Sequence, residues 1–133
     1  MPSPNHSLSQ NALLQLEQEC QEAIDEYQRT RNSNTDSSSC VEILQHAARG
    51  EKEAIGVILA LSRSLIEQKC PPDLRPHVED IIQNVTRRLI KKFYNQKSPF
   101  RVTTFPKYRV YVKTTTANVI YLWLVFVSNL VSM

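Results

Sequence analysis

The sequence is poor in glycine, and this scarcity excludes one large class of sites. Only two glycines, Gly50 and Gly56, occur among the 133 residues. A loop that cradles phosphates needs several closely spaced glycines, because the backbone must approach the nucleotide. The chain therefore has no glycine-rich nucleotide loop. Long polar and apolar periods with few strand-like runs predict an all-α fold.

Cysteine is also scarce, and none of the three cysteines belongs to a C-x-x-C pair. They are Cys20, Cys40 and Cys70. An odd number at wide spacing argues against a disulfide scaffold or a zinc site and is typical of a reducing compartment. The N-terminus lacks the basic-then-apolar pattern of a signal peptide. From these features we expect a cytoplasmic protein without a cofactor or a metal.

Catalytic motifs are missing as well. His6, His46 and His77 lie on unrelated segments, and neither H-E-x-x-H nor G-x-S-x-G occurs. Glu79 and Asp80 are neighbours, but adjacent side chains on a helix point about 100° apart. They therefore do not form a carboxylate pair, and the sequence predicts that the protein is not an enzyme.

Acidic residues are absent from the last part of the chain. None follows Asp80, whereas nine basic residues lie within 87–113. Residues 1–60 carry nine acidic and four basic side chains, a net charge of −5. Residues 61–133 carry four acidic and twelve basic side chains, a net charge of +8. The overall charge of +3 therefore hides two halves of opposite sign.

Aromatic residues share this asymmetry, since nine of the ten lie within 93–126. Interleaved cations and rings suit nucleic acid, because cations contact phosphates and rings stack on bases. The alternative from composition is a solvated basic face beside an aromatic-rich core. Composition alone leaves both interpretations open.

Periodicity and helix breakers divide the chain into an N-terminal extension and a helical domain. Residues 1–38 are expected to form the extension, with one helix and a Ser/Asn-rich linker. Residues 39–133 are expected to form a compact bundle of four to five helices, the last of them apolar. A loop is predicted over 95–109. The helices are predicted at 9–29, 39–49, 51–69, 77–93 and 107–133.

The stretch HVEDIIQNVTRRLIKKF, residues 77–93, has the clearest two-sided pattern. Its apolar side chains fall on one helix face: Val78, Ile81, Ile82, Val85, Leu89 and Phe93. Its polar side chains fall on the other: Asp80, Gln83, Asn84, Arg87 and Lys91. Acids at the start and cations at the end also suit the helix dipole, at up to about 1 kcal/mol per charge. The helix is thus predicted to pack through one face and to leave a polar face.

Three motifs follow one another in a familiar order. GEKEA (50–54) precedes a long apolar helix, and EDIIQ (79–83) follows some thirty residues later. FPKYRVYVKTTTAN (105–118) then places Tyr111 and Asn118 at positions of a W-L-x-x-x-x-x-N pattern. In this order and spacing, the motifs resemble region 2 of bacterial sigma factors of the sigma-70 family, in the style of the extracytoplasmic-function group.

The resemblance covers residues 40–121 and has clear departures. Glu51 replaces the usual Asp of G-D-x-x-A, and Asn84 takes the place of a usual acid. Val112 stands at the usual Leu, and the basic residues around the family's Asn are missing near Asn118. We also expect the protein to lack the helix-turn-helix of region 4, which reads the −35 element.

The resemblance implies that one helix face binds core RNA polymerase. In the family this face contacts the clamp helices of the β′ subunit. Carried over by position, the contacts are Asp80, Gln83, Asn84 and Arg87. The chemistry is reasonable, because a carboxylate can accept two parallel hydrogen bonds from an arginine of the clamp.

The resemblance also implies contacts with single-stranded bases of the −10 promoter element. Four aromatic residues are candidates for base stacking: Phe100, Phe105, Tyr108 and Tyr111. Five basic residues are candidates for phosphate contacts: Lys97, Arg101, Lys107, Arg109 and Lys113. Asn118 completes the predicted DNA-binding set. Because aromatic rings are often core residues, at least two of the four are expected to pack inside.

Two other interpretations stay open. One is a helical protein–protein interaction module, a truncated or regulatory sigma-like protein without DNA-melting activity, and an anti-sigma protein is a further partner that the family suggests. The other is a tail-anchored membrane protein, since residues 114–133 carry no charge. Thr, Asn and Ser dilute that segment, and its apolar centre, 119–127, is short for a span. A buried terminal helix is therefore favoured over a membrane span.

Overall fold

The computed structural model describes residues 8–32, 35–95 and 104–132, with side chains given as far as residue 129. Its elements are α1 (Gln10–Thr30), α2 (Ser38–Ala48), α3 (Lys52–Lys69), a 3₁₀ helix (Pro72–His77), α4 (Val78–Phe93) and α5 (Phe105–Ser132). No strand occurs in these ranges. The prediction of an all-α helical bundle is confirmed.

Helix α3 lies at the centre of the bundle and packs against all four other α-helices. The buried apolar side chains of all five helices form one core cluster. α4 and α5 run antiparallel, because Phe93 contacts Tyr108 at one end and His77 contacts Trp123 at the other. The ring centroids of these pairs are 6.4 and 5.3 Å apart.

The turn between α2 and α3 forms where the sequence predicted it. Gly50 adopts φ +88°, which suits glycine, and its N–H donates to the Ala47 carbonyl at 2.9 Å. Glu51 is the N-cap residue of α3, but its side chain does not cap the helix. Its carboxylate instead contacts Nδ1 of His46, in the last turn of α2. This pair joins the two helices across the turn.

The cysteine prediction is wrong, because Cys20 and Cys40 form a disulfide between α1 and α2. Their Cα atoms are 4.8 Å apart and both residues are fully buried. The chain reverses between the two helices, so residues 20 positions apart in sequence meet side by side. The helix of the predicted extension is thus packed on the bundle and covalently attached to it, and the cysteines no longer argue for a reducing compartment.

Helix α5 begins earlier than predicted, at Phe105, so the end of the predicted loop is helical. Pro106 lies in the first turn, where a missing N–H costs no hydrogen bond. The side chain of Thr104 accepts from the N–H of Lys107 at 3.4 Å. The β-branched residues that weakened the helix prediction are outweighed by packing, since Val112 and Thr116 are fully buried against the bundle.

Candidate functional site

The polar face of α4 lies open to solvent, as its periodicity predicts. Asp80, Gln83 and Arg87 are exposed, and Asn84 is half-buried. The side-chain amide of Asn84 donates to the backbone carbonyl of Asp80 at 2.9 Å. The opposite face carries the buried anchors Ile81, Ile82, Val85, Leu89 and Phe93. The packed face therefore fixes the position of the helix, and the polar face points to solvent.

The two acids at the start of α4 have different surroundings. Glu79 pairs with Arg63 of α3, which also pairs with Glu67 at 2.9 Å. The hydrogen bond to Glu79, with that to Glu67, raises the pKa of Arg63. Asp80 forms no ion pair within the described ranges. Asp80 is thus the acid of this turn that is open to a cationic partner.

Two of the four candidate stacking residues lie in the core. Phe105 and Tyr108 are buried, and their rings stack with centroids 6.1 Å apart. Tyr111 is partly buried against the core. Phe100 lies outside the described residues. The expectation that at least two of the aromatic residues pack inside is confirmed.

Tyr108 has a specific structural role. Its hydroxyl lies 2.6 Å from Oγ of Ser62 on α3. Ser62 already donates to the Ile58 carbonyl at 2.6 Å, so Tyr108 donates to Ser62. Burial raises the pKa of Tyr108 well above its usual value, with the Ser62 hydrogen bond acting in the opposite direction. The residue joins α5 to α3 and is inaccessible to a base.

Arg109 is also directed inward. Only 9% of its surface is exposed, and its guanidinium carbon lies 3.4 Å from the ring centroid of Tyr27 on α1. Its Nε and Nη1 atoms are buried without a hydrogen-bond partner. Arg109 therefore connects α5 to α1 by a cation–π contact, and most of its side chain is buried.

Positively charged side chains cluster around Tyr27. Desolvation raises the pKa of the Tyr27 phenol, but the nearby charge of Arg109 and a hydrogen bond from it act in the other direction. Lys113 and Arg31 add to this effect, so the net pKa is lower than usual. The end of α1 and the start of α5 thus form one positive region.

The remaining predicted DNA contacts lie either on α5 or outside the described residues. Lys107 and Asn118 are exposed on α5. Lys113 is half-buried, with Nζ 6.0 Å from the Tyr27 ring centroid. Lys97 and Arg101 lie outside the described residues. Of the predicted contacts on α5, Lys107 and Asn118 are thus exposed and Lys113 is partly exposed.

A large apolar surface on α5 was not predicted. Tyr121 and Phe126 are 67% and 54% exposed, although the terminal helix was expected to be buried. Helix residues 105–129 are long and apolar enough to cross a membrane by length and composition, and 28% of the apolar window is buried in the bundle. The uninterrupted apolar run at 119–127 was the signal in the sequence for this surface. The run alone does not show how far the bundle extends beside it.

A groove of about 270 Å³ runs between α4 and this part of α5. Its lining joins polar residues of α4 to apolar residues of α5: Asn84, Arg88, Val119, Leu122, Trp123 and Phe126. Asn84 belongs to the polar face of α4, so the two surfaces are continuous. A partner on α4 would therefore also meet apolar side chains of α5.

Metal-binding side chains are not brought together in the part of the chain that the structure describes. No group of three or more His, Cys, Asp or Glu residues is placed to hold an ion there. Within these ranges His46 and Glu51 form a His–carboxylate pair, which joins α2 to α3.

Comparison with known proteins gives no relative for this chain. No protein-family model, curated protein or solved structure matches it. The resemblance to sigma region 2 therefore rests on the sequence motifs alone.

Proposed function

We propose that this protein is a sigma-like transcription protein that binds core RNA polymerase through the polar face of α4. The observation that carries the proposal is the open row of Asp80, Gln83 and Arg87 on a helix whose other face is fixed in the core. A helix held in the core presents these groups with little loss of backbone freedom on binding.

The chemistry of this face fits an arginine-rich helical partner. Asp80 can accept two parallel hydrogen bonds from a guanidinium, and Gln83, one turn further, can donate to or accept from the partner backbone. Glu79 is already paired with Arg63, so Asp80 supplies the charge in this turn. The β′ clamp helices of core RNA polymerase are the partner that the family resemblance suggests.

Contact with −10 promoter DNA is the second part of the proposal. It uses the exposed and half-buried groups of α5, Lys107, Lys113 and Asn118, with Tyr111 beside them. Burial of Phe105 and Tyr108 supports the alternative of an interaction module without DNA-melting activity. The two versions differ in whether single-stranded DNA is bound.

Site-specific crosslinking tests the polymerase contact. A photoreactive amino acid at position 83, on the polar face of α4, should crosslink to the β′ subunit of core RNA polymerase. The same amino acid in place of Gln68, exposed on α3, is the matched control and should give no such product. Equal crosslinking from both positions, or none from position 83, would contradict the proposal.

Salt dependence tests the DNA contact. Lys107→Gln and Lys113→Gln should each weaken binding of a single-stranded −10 oligonucleotide and lower its salt slope by about 0.7, since each removes one phosphate contact. Lys91→Gln on α4 removes the same charge outside the predicted set. The interaction-module alternative predicts no measurable oligonucleotide binding by the wild-type protein.

A further inference from the structure

We propose that two copies of this chain associate, with the exposed apolar segment 121–128 of α5 from one copy seated in a groove between α1 and α3 of the other. This inference does not depend on polymerase binding. It rests on two complementary surfaces that occur on the same chain and that the bundle leaves uncovered.

The α1–α3 groove is open and apolar, with a volume of about 440 Å³. Gly56 and Ala60 on α3 line it, and a Cβ added at Gly56 would meet no atom within 4 Å. Leu14, 61% exposed, and Val57 also line it. The small residues in this apolar lining allow another helix to approach closely.

Two carboxylates lie at this groove. Glu17 of α1 and Glu53 of α3 both line it, and neither forms an ion pair in the described ranges. Exposed Glu22 lies about one and a half turns beyond Glu17. The groove therefore favours an apolar segment with basic side chains beside it.

The α5 segment matches the groove in chemistry and length. Its exposed large apolar side chains are Tyr121, Leu122, Leu124, Val125 and Phe126. Eight helical residues span about 12 Å, and the α1 and α3 stretches that line the groove, 10–17 and 53–60, are each eight residues long. Apolar side chains occur on every side of this segment, so a groove can cover one side while Trp123 faces its own bundle.

A chain cannot place this segment in its own groove. The contact between segment and groove therefore requires a second copy. α5 is one continuous helix, held against the bundle through Val112, Thr116 and Val119. The groove carries the carboxylates of Glu17 and Glu53, and basic Arg88 lines the α4–α5 groove together with Leu122 and Phe126 of the segment. Attraction between these unlike charges favours the contact between two copies.

The positive charges nearest the segment are well placed for this contact. Lys113 precedes Tyr121 by about two helical turns, and Arg88 of α4 lies beside Leu122 in the α4–α5 groove. Because the groove and the segment are different surfaces, the contact is either head-to-tail or a reciprocal pair about a twofold axis.

Sedimentation velocity over a range of protein concentrations tests the association. The wild-type protein should associate reversibly, and Ala60→Trp, which fills the groove, should weaken association at least about tenfold, as should Leu124→Glu in the segment. The controls are Gln68→Trp, exposed on α3 outside the groove, and Thr114→Glu, exposed on α5 before the segment. Both controls should associate like the wild type.

Mixing the two variants gives the most discriminating test. Ala60→Trp leaves the α5 segment unchanged and Leu124→Glu leaves the α1–α3 groove unchanged. An equimolar mixture should therefore form a one-to-one complex at concentrations where each variant alone is monomeric. A wild-type protein that stays monomeric would overturn the proposal, as would normal association of Ala60→Trp or failure of the mixture.

Lipid vesicles test the alternative that the segment binds a membrane and not a second copy. Vesicles of phosphatidylcholine with phosphatidylglycerol should not compete with the association of the wild-type protein. If a monomeric wild type binds these vesicles and Leu124→Glu abolishes that binding, the segment is a lipid anchor and the second-copy proposal is wrong.

Discussion

The disulfide between Cys20 and Cys40 gives the most quantitative prediction. Reducing it leaves both sulfur atoms in the core and removes the covalent link between α1 and α2. The sequence separation is 20, and the chain-entropy relation for a loop of that size gives about 3 kcal/mol at 25 °C. We therefore expect the reduced protein to be less stable by about 3 kcal/mol.

The variant Cys20→Ala/Cys40→Ala should lose more than reduction alone. It removes the same link and also two fully buried sulfur atoms, which adds roughly 1–2 kcal/mol for lost packing. Cys70→Ala is the matched control, because Cys70 is a free thiol of intermediate burial. Its effect should stay below about 1 kcal/mol.

Thermal unfolding followed by circular dichroism, with and without a phosphine reductant, measures the effect. For a chain of this size, the expected loss corresponds to a fall in Tm of roughly 10 °C. A thiol titration of the unreduced, denatured protein should find one free thiol. Three free thiols, or equal Tm values for the oxidised and reduced protein, would refute the reasoning.

Four other substitutions test the local structure. Gly56→Ala on the exposed face of α3 should stabilise by about 0.5–1 kcal/mol, whereas Gly50→Ala at φ +88° should destabilise by about 1–2 kcal/mol, both measured by urea unfolding. Tyr108→Phe should cost about 1–1.5 kcal/mol, because it removes the buried hydrogen bond to Ser62; a near-neutral result would contradict that role. Asp36 accepts a hydrogen bond from the first backbone N–H of α2, which lowers its pKa below the usual 3.8. Its stabilising effect should be full above that value and lost as the pH falls through the lowered pKa, and the Asp36→Asn variant should lack this acid-side dependence.

Local features of the fold were predictable from the sequence. Gly50 identified the α2–α3 turn, because a left-handed residue after a helix strongly favours glycine. The period of residues 77–93 identified both the buried face of α4 and its open polar face. These predictions depend on neighbours within one or two helical turns, which a single sequence contains.

Contacts between distant segments could not be predicted in this way. Cys20 meets Cys40 because α2 folds back along α1, and no spacing rule specifies that approach. Tyr108 and Arg109 lie in a cation-rich, aromatic segment that suits nucleic acid. In the structure they are buried, because Tyr108 hydrogen-bonds to Ser62 of α3 and Arg109 packs on Tyr27 of α1. The exposed surface of 121–126 depends on where the bundle ends beside α5.

The most direct measurement of the central claim is the affinity of the oxidised protein for core RNA polymerase. Asp80→Arg reverses the unpaired acid on the polar face of α4, and Glu26→Arg makes the same charge change on the exposed surface of α1. We predict that Asp80→Arg raises Kd at least about tenfold, because it places a cation against arginines, while Glu26→Arg has the wild-type Kd. Equal Kd values for Asp80→Arg and the wild type, or no binding by the wild type, would contradict the account.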